Sequence, residues 1–266
     1  MAKVNRGGRR SSATAQQTQE IQAPAAATSG ATVANIPVNA LPLSDQDAAD
    51  LRDEQDSRYD ASTTAAVKMY ISNTNFDGQG HSLSQAMNYA LDNGVDFATM
   101  SAGQINSMLG TNFDANDIAS MQYTNAYMET AVHSIGRDVE LQRGAHDSLL
   151  RNVFGIPNYA KLSQAQLQAR LVGQTFQNTS YMSTSYDVTK NPFLSSSSGV
   201  SGGREVVFNI KAGAQTKMLF GARAQSEIII AKGTDFRITD VRFTGRTANP
   251  RSGPSKPQIV IDIETY

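Results

Sequence analysis

The sequence predicts an α+β protein in which a helical segment precedes a β-rich one. Between residues 61 and 136 apolar side chains recur at three- and four-residue spacing, the period of one helix face. From Val139 to the chain end, short β-branched runs alternate with polar residues and turn signals, the pattern of strands. Residues 1–60 show neither period. They are rich in Ala, Ser, Thr, Gln and Asn, bury too little apolar surface to offset the entropy of ordering, and read as a disordered polar tail. The expected organisation is a tail over 1–60, a helical subdomain over 61–136 and a β-rich core over 137–266, with 61–266 forming one domain.

The tail begins basic, with Arg6, Arg9 and Arg10 and no acid in its first nineteen residues. That resembles a transit or twin-arginine signal, but no apolar stretch follows, so no signal peptide is expected. It ends acidic, through Asp45, Asp47, Asp53, Glu54 and Asp56. A linker, a solubilising arm and a docking signal all fit it.

In the helical segment, Val67, Tyr70 and Ile71 begin a stripe, and Ser82 with Gln85 forms a capping-box pair ahead of a helix from Leu83 to Leu91,. Ser101 with Gln104 repeats the pair before a short helix ending at Gly110, and a longer helix is expected from about Asn116 to Ile135, with Gly136 as its stop,. Further on, Ser163 with Gln166 opens a helix reaching about Val172. Strands are expected at Val139 to Arg143, around Tyr181 to Ser185, from Glu205 to Lys211, on both sides of a loop from Phe220 to Ala224, and from Ile259 to Ile263.

The chain has 266 residues and neither cysteine nor tryptophan, which excludes disulfides, thiol nucleophiles and Cys-based zinc sites. It contains no run of eighteen apolar residues, so no spanning helix is expected. Residues 31–136 carry three basic and thirteen acidic side chains, and residues 137–266 carry sixteen and ten. The β-rich part is therefore the positive one, which suits an anionic ligand such as a dinucleotide or nucleic acid, or a solvated surface.

Three stretches of the β-rich part carry candidate chemistry. In Lys217 to Ile238, Gln225 and Glu227 read as residues of one strand with side chains on one face, next to Ile228, Ile229 and Ile230,. A carboxylate there is either an edge-strand surface charge or a group opening into a cleft, since burying it unpaired is costly. In 138–144, Arg143 follows Val139 and Leu141 on one face and needs an anionic partner, a phosphate or a structural carboxylate, and Gly144 allows close backbone approach,. In 176–185, Ser183 is short enough to donate to a carboxylate, although a Ser/Thr-rich strand can simply reflect β-propensity,.

Taken in order, Arg143, Ser183-Thr184-Ser185 and Gln225-x-Glu227 resemble the mono-ADP-ribosyltransferases of the Arg-Ser-Glu class, the group of bacterial toxins and bacteriophage-encoded enzymes. The resemblance covers about half the chain. It implies a mixed, mostly antiparallel two-sheet β core behind the helices, NAD as substrate and no metal. It assigns Glu227 to the carboxylate that stabilises the ribosyl centre as nicotinamide leaves, Ser183 to orienting it, and Arg143 with Gly144 to the phosphates. Gln225 and the loop before it then face the acceptor. Tyr70 and Asn88 match family positions that touch the dinucleotide, whereas Asp92 stands where the family often has arginine. Phe193 and Arg204, in the loop over 190–204, become candidates for ring stacking and phosphate contact.

Members with glutamine two residues before the catalytic glutamate include enzymes acting on asparagine and on guanine in DNA, so an acceptor other than arginine is expected. A protein acceptor comes first and nucleic acid second. The alternatives are an NAD glycohydrolase and a catalytically inactive virion or interaction protein that retains the fold. A monomer acting in the cytoplasm of a host or target cell, phage-encoded or delivered, is the expected setting. The match Gly199-x-Ser201-x-Gly203 lacks the strand, helix and downstream histidine that a nucleophile elbow requires,.

Overall fold

A computed structural model of the chain describes residues 40–78, 80–145, 149–187, 205–244 and 258–266. The first thirty-nine residues, Phe193, Arg204 and the Gly199-x-Ser201-x-Gly203 match lie outside the described residues. Among the described residues six α-helices and ten strands follow in chain order: β1 Leu41–Pro42, α1 Asp45–Ser57, α2 Ala61–Ile71, α3 Leu83–Asp92, α4 Ala102–Leu109, α5 Ala115–Ala131, β2 His133–Ser134, β3 Val139–Ala145, α6 Gln164–Leu171, β4 Thr175–Gln177, β5 Met182–Ser185, β6 Glu205–Ala212, β7 Lys217–Phe220, β8 Glu227–Ile230, β9 Asp235–Thr244 and β10 Gln258–Thr265.

Helix starts fall where short polar side chains can satisfy free amides. The Ser82–Gln85, Ser101–Gln104 and Ser163–Gln166 boxes all form, and Asp114 with Asp117 adds a fourth at α5. Gly110 closes α4 with φ 63°, a left-handed conformation suited to glycine,. Two expectations are corrected. The polar tail does not reach residue 60, because residues 45–57 form α1, capped by Ser44 and burying Ala48, Arg52 and Gln55. The long helix stops at Ala131 rather than Ile135, because Val132 turns extended and His133 and Ser134 pair with Met218 and Lys217.

The strands form one ladder in the order β2-β7-β8-β5-β3-β6-β10-β9-β4, with β1 beside β3. Pairing is antiparallel except for β1 with β3 and β6 with β10. The ladder divides naturally in two: β3 meets β5 through the single pair Gln142–Ser185, whereas β3 and β6 share seven pairs. The stretch over 176–185 is likewise divided. Residues 175–177 pair with β9 at the far edge, and residues 182–185 pair with β8. Asn178 makes the break, donating to the Ser180 and Ala231 carbonyls and accepting from the Thr234 amide.

Alternation along β8 joins two cores. Ile228 and Ile230 face a core with Val139, Leu141, Phe208 and Ile261, while Ile229 faces the opposite side with Tyr181 and Leu219, against Tyr70 of α2, Met87 of α3 and Met121 of α5,. The helices therefore cover the β7–β8–β5 part of the sheet, and Glu227 and Ser183 open on that covered side.

Candidate active site

Glu227 is the first residue of β8 and lies directly opposite Ser185, with Ser183 diagonal to it on the same face,. It is only 5% exposed. One carboxylate oxygen, Oε2, accepts the Ala222 amide at 2.8 Å. Burial pushes the Glu227 pKa up, opposed in turn by the Ala222 amide, the nearby Ser183 side chain, and the charges of Arg143 and Arg52. Two donors and two cations thus converge on one buried carboxylate.

Arg143, partly buried on β3, donates from Nη1 to the Ser183 carbonyl at 2.8 Å. The contact bridges the two parts of the ladder close to their single shared pair. Burial lowers the Arg143 pKa, and the neighbouring Tyr70, Asp92 and Glu227 raise it. Gly144 follows on the opposite face of β3, buried and paired with Val207.

Helix α3 supplies the opposite wall. Asn88 is 2% exposed; its Nδ2 donates to the Tyr70 hydroxyl at 2.9 Å and the Tyr181 carbonyl at 3.2 Å, while Oδ1 has no partner among the described residues. Tyr70 and Tyr181 meet edge to face with centroids 5.6 Å apart,. One turn on, Asp92 is equally buried: Oδ1 accepts from the Thr179 hydroxyl at 2.6 Å, and Oδ2 has no partner among the described residues. Burial raises the Asp92 pKa to about 6, opposed by Thr179, Ser180 and Arg143. A buried acceptor without a donor is costly. Two of them four residues apart on one helix, beside a guanidinium, suit a ligand bearing both hydroxyl donors and a negative charge.

The structure therefore brings Tyr70, Asn88, Asp92, Arg143, Ser183 and Glu227 together. Gln225 is placed differently from the strand expectation. It ends a 3₁₀ turn over Arg223–Gln225, and Ser226 adopts φ 48°, ψ 39°, so the alternation placing Gln225 and Glu227 on one face does not apply. Gln225 stays partly exposed on the turn, its carbonyl accepting from the Ser185 hydroxyl at 3.1 Å.

Sequence reasoning missed Arg52 and Gln55. Arg52 of α1, 7% exposed, donates to the Gly221 carbonyl, and Gln55, 1% exposed, hydrogen-bonds both backbone groups of Phe220. The signal was present but faint. Ala48, Arg52 and Gln55 stand at four- and three-residue spacing, with Ser44 as a cap, yet a stripe built mainly of polar residues does not register as amphipathic.

A cleft of about 900 Å³ lies elsewhere, floored by Gln142, Asn209 and Asp262 and bordered by Tyr186, and none of Arg143, Ser183 and Glu227 lines it. Along its polar floor Gln142 donates to Asn209, Asn209 to Asp262, and Arg242 to Asp262. The convergent groups around Glu227, rather than this cleft, have the character of a reaction centre. Among the described residues, no group of three or more His, Asp or Glu side chains is arranged to hold a metal ion.

Residues 72–265 match the family model described as ADP-ribosyltransferase exoenzyme. No curated protein matches the chain. Among solved structures, it is similar to Plx2a, an ADP-ribosyltransferase toxin from Paenibacillus larvae, at 10% identity over 84% of this chain and 96% of that one, with a TM-score of 0.54. It is similar to C3stau2 from S. aureus, solved with NAD, at 13% identity over 83% and 95%, with a TM-score of 0.53. The enzymatic component C2-I of the Clostridium botulinum C2-toxin matches at 18% identity over 84% of this chain and 47% of its own length, with a TM-score of 0.56. At these identities the three establish the shared fold.

Proposed function

The chain belongs to the ADP-ribosyltransferase exoenzyme family and is an NAD-dependent transferase, and we propose that it passes one ADP-ribose to a macromolecular side chain other than arginine, on a protein in the first instance. In the reaction the bond between the ribose anomeric carbon and the nicotinamide nitrogen breaks, and nicotinamide leaves with the bonding electrons. The acceptor's lone pair forms the new bond, and the acceptor loses a proton. Positive charge builds on the ribose in between. A fixed carboxylate beside it lowers the barrier, and it does so most effectively in a water-poor site.

The observation that carries the assignment is the convergence on Glu227 of Ser183, the Ala222 amide and two guanidinium groups. In this reading Glu227 stabilises the ribosyl cation and Ser183 holds its rotamer. Arg143 neutralises the pyrophosphate, with Gly144 in the same strand. The acceptors of Asn88 and Asp92 without a partner among the described residues take ribose hydroxyls, and Phe193 is proposed to stack on the nicotinamide.

The acceptor proposal rests on Gln225. A guanidinium must lose a proton before it can attack, and its pKa exceeds about 12. The amide of Gln225 cannot accept that proton. An acceptor that attacks without prior deprotonation suits the site better.

Incubation with NAD labelled in the adenylate part, in a whole-cell lysate, tests the proposal beside Glu227→Gln. Label is expected on macromolecules with the native protein and absent with the variant, and fragment masses should place it on residues other than arginine. Modification confined to arginine contradicts the acceptor, and release of free ADP-ribose alone makes the protein a glycohydrolase. No NAD turnover in any lysate leaves an inactive member of the fold.

A further inference from the structure

Helix α1 lies outside residues 72–265, the part that the family match spans, yet buried polar contacts join it to the loop preceding Glu227. Arg52 donates from Nη1 to the Gly221 carbonyl and lays its guanidinium 5.3 Å from the centre of the Phe220 ring. Gln55 accepts the Phe220 amide at 2.7 Å and donates to the Phe220 carbonyl at 3.4 Å. The backbone at the end of β7 is thereby held from one side. On the other side, the Gly221 amide donates to the Glu227 carbonyl at 3.0 Å and the Ala222 amide to Glu227 Oε2 at 2.8 Å. Two hydrogen bonds therefore separate the Arg52 guanidinium from the Glu227 carboxylate, and the two charges also attract one another.

A buried guanidinium is a poor way to attach a helix to a sheet, because its desolvation offsets most of what its bonds contribute. Arg52 and Gln55 instead direct their hydrogen bonds to two consecutive residues, the last of β7 and the first of the loop after it, which restrains geometry,. We infer that Arg52, braced by Gln55, is a positioning residue that holds the loop over 221–226, and through it the Glu227 carboxylate, in reacting geometry, making α1 a working part of the transferase. The inference rests on Glu227 being the reacting carboxylate.

The test compares native protein, Arg52→Ala, Arg52→Lys, Gln55→Ala and Glu227→Gln, all full length. The first measurement does not need activity. In Arg52→Ala, hydrogen exchange at the amides of Gly221, Ala222 and Glu227 is expected to quicken by about tenfold or more, with α2, α3 and α5 unchanged. The second measures NAD turnover, where kcat is expected to fall about ten- to a hundredfold with KM for NAD within about threefold. The ionisable groups facing Glu227 are Arg143, Arg52 and Tyr70. Removing the Arg52 charge raises the Glu227 pKa, so the acid limb of kcat should move to higher pH. Arg52→Lys should leave the limb in place without restoring full kcat.

Unchanged exchange over 221–227, an unmoved limb, or a loss of kcat matched by an equal rise in KM overturns the inference. Should Arg52→Ala fail to fold, Gln55→Ala keeps the charge and carries the exchange and kcat measurements by itself. Equal NAD turnover by native protein and Glu227→Gln removes the catalytic assignment instead, and the exchange data then decide whether α1 braces the loop.

Discussion

A single methyl group at Gly221 should separate the activity of this protein from its stability. A Cβ built on Gly221 meets Glu227 Oε2 at 2.3 Å, Cδ at 2.6 Å and Cγ at 2.8 Å. Ordinary contact begins near 3.4 Å, so the carboxylate oxygen in Gly221→Ala must retreat by about 1 Å,. The clashing atoms belong to a side chain and not to backbone, so the fold can adjust, at a cost of about 1–3 kcal/mol for overpacking. The carboxylate cannot both adjust and stay where it is. Its 2.8 Å bond from the Ala222 amide is stretched or lost, and a misplacement of about 1 Å at a reacting group costs on the order of a hundredfold in rate. Arg143, Asn88 and Tyr70 are untouched, so KM for NAD should stay within about threefold. The assay is steady-state release of nicotinamide alongside a thermal melt. A kcat within about threefold of native, in a folded Gly221→Ala protein, would refute the placement of Glu227 at the reacting centre.

Arg143→Ala should act on binding, raising KM for NAD by about 10- to 100-fold, the range for losing hydrogen bonds to a charged group; unchanged KM in a titration of NAD makes Arg143 purely structural. Asp92 titrates at about 6 in the folded chain against an ordinary 3.8, so the folded state binds the extra proton, and the associated stability is complete below about pH 4 and lost as pH rises through 6. The difference amounts to at most about 3 kcal/mol, and urea melts at pH 4 and 7 should show a smaller fall in stability for Asp92→Asn than for native protein; identical falls contradict the burial argument. Ser226 holds a left-handed backbone, φ 48°, with its hydroxyl buried and without a partner among the described residues, so Ser226→Gly should stabilise by about 1 kcal/mol. A lower melting temperature for that variant contradicts the strain.

What could be read from the sequence was what is written in local chemistry. Three capping boxes, the glycine stop of α4, and the strands around Ile228–Ile230 and Val139–Leu141 were legible because each depends on residues a few positions apart. Arg143, Ser183 and Glu227 were legible as a set through their order along the chain, and their meeting in space depends on β3, β5 and β8 lying side by side. Helix α1 was not legible, because its buried face is Ala48, Arg52 and Gln55 and a polar stripe imitates a solvated tail. The placement of Gln225 failed for another reason: Gln225-Ser226-Glu227 runs into a β-branched strand, and nothing local signals a serine in the left-handed region. Strand β9, ten residues long, was not anticipated, since its alternation shifts at the bulge opposite Asp262 and Ile263,. The break at Asn178 is set by the turn after β8, whose Ala231 carbonyl accepts from its side chain and whose Thr234 amide donates to it, far away in sequence.

The most direct test of the account is the structure of Glu227→Gln with NAD bound. The account predicts the dinucleotide between α3 and the β5–β8 strands, with its pyrophosphate on Arg143, ribose hydroxyls on Asn88 and Asp92, and the nicotinamide ribose against residue 227. NAD bound on the Asn209–Asp262 face of the sheet, or anywhere that leaves Arg143 and residue 227 untouched, contradicts it.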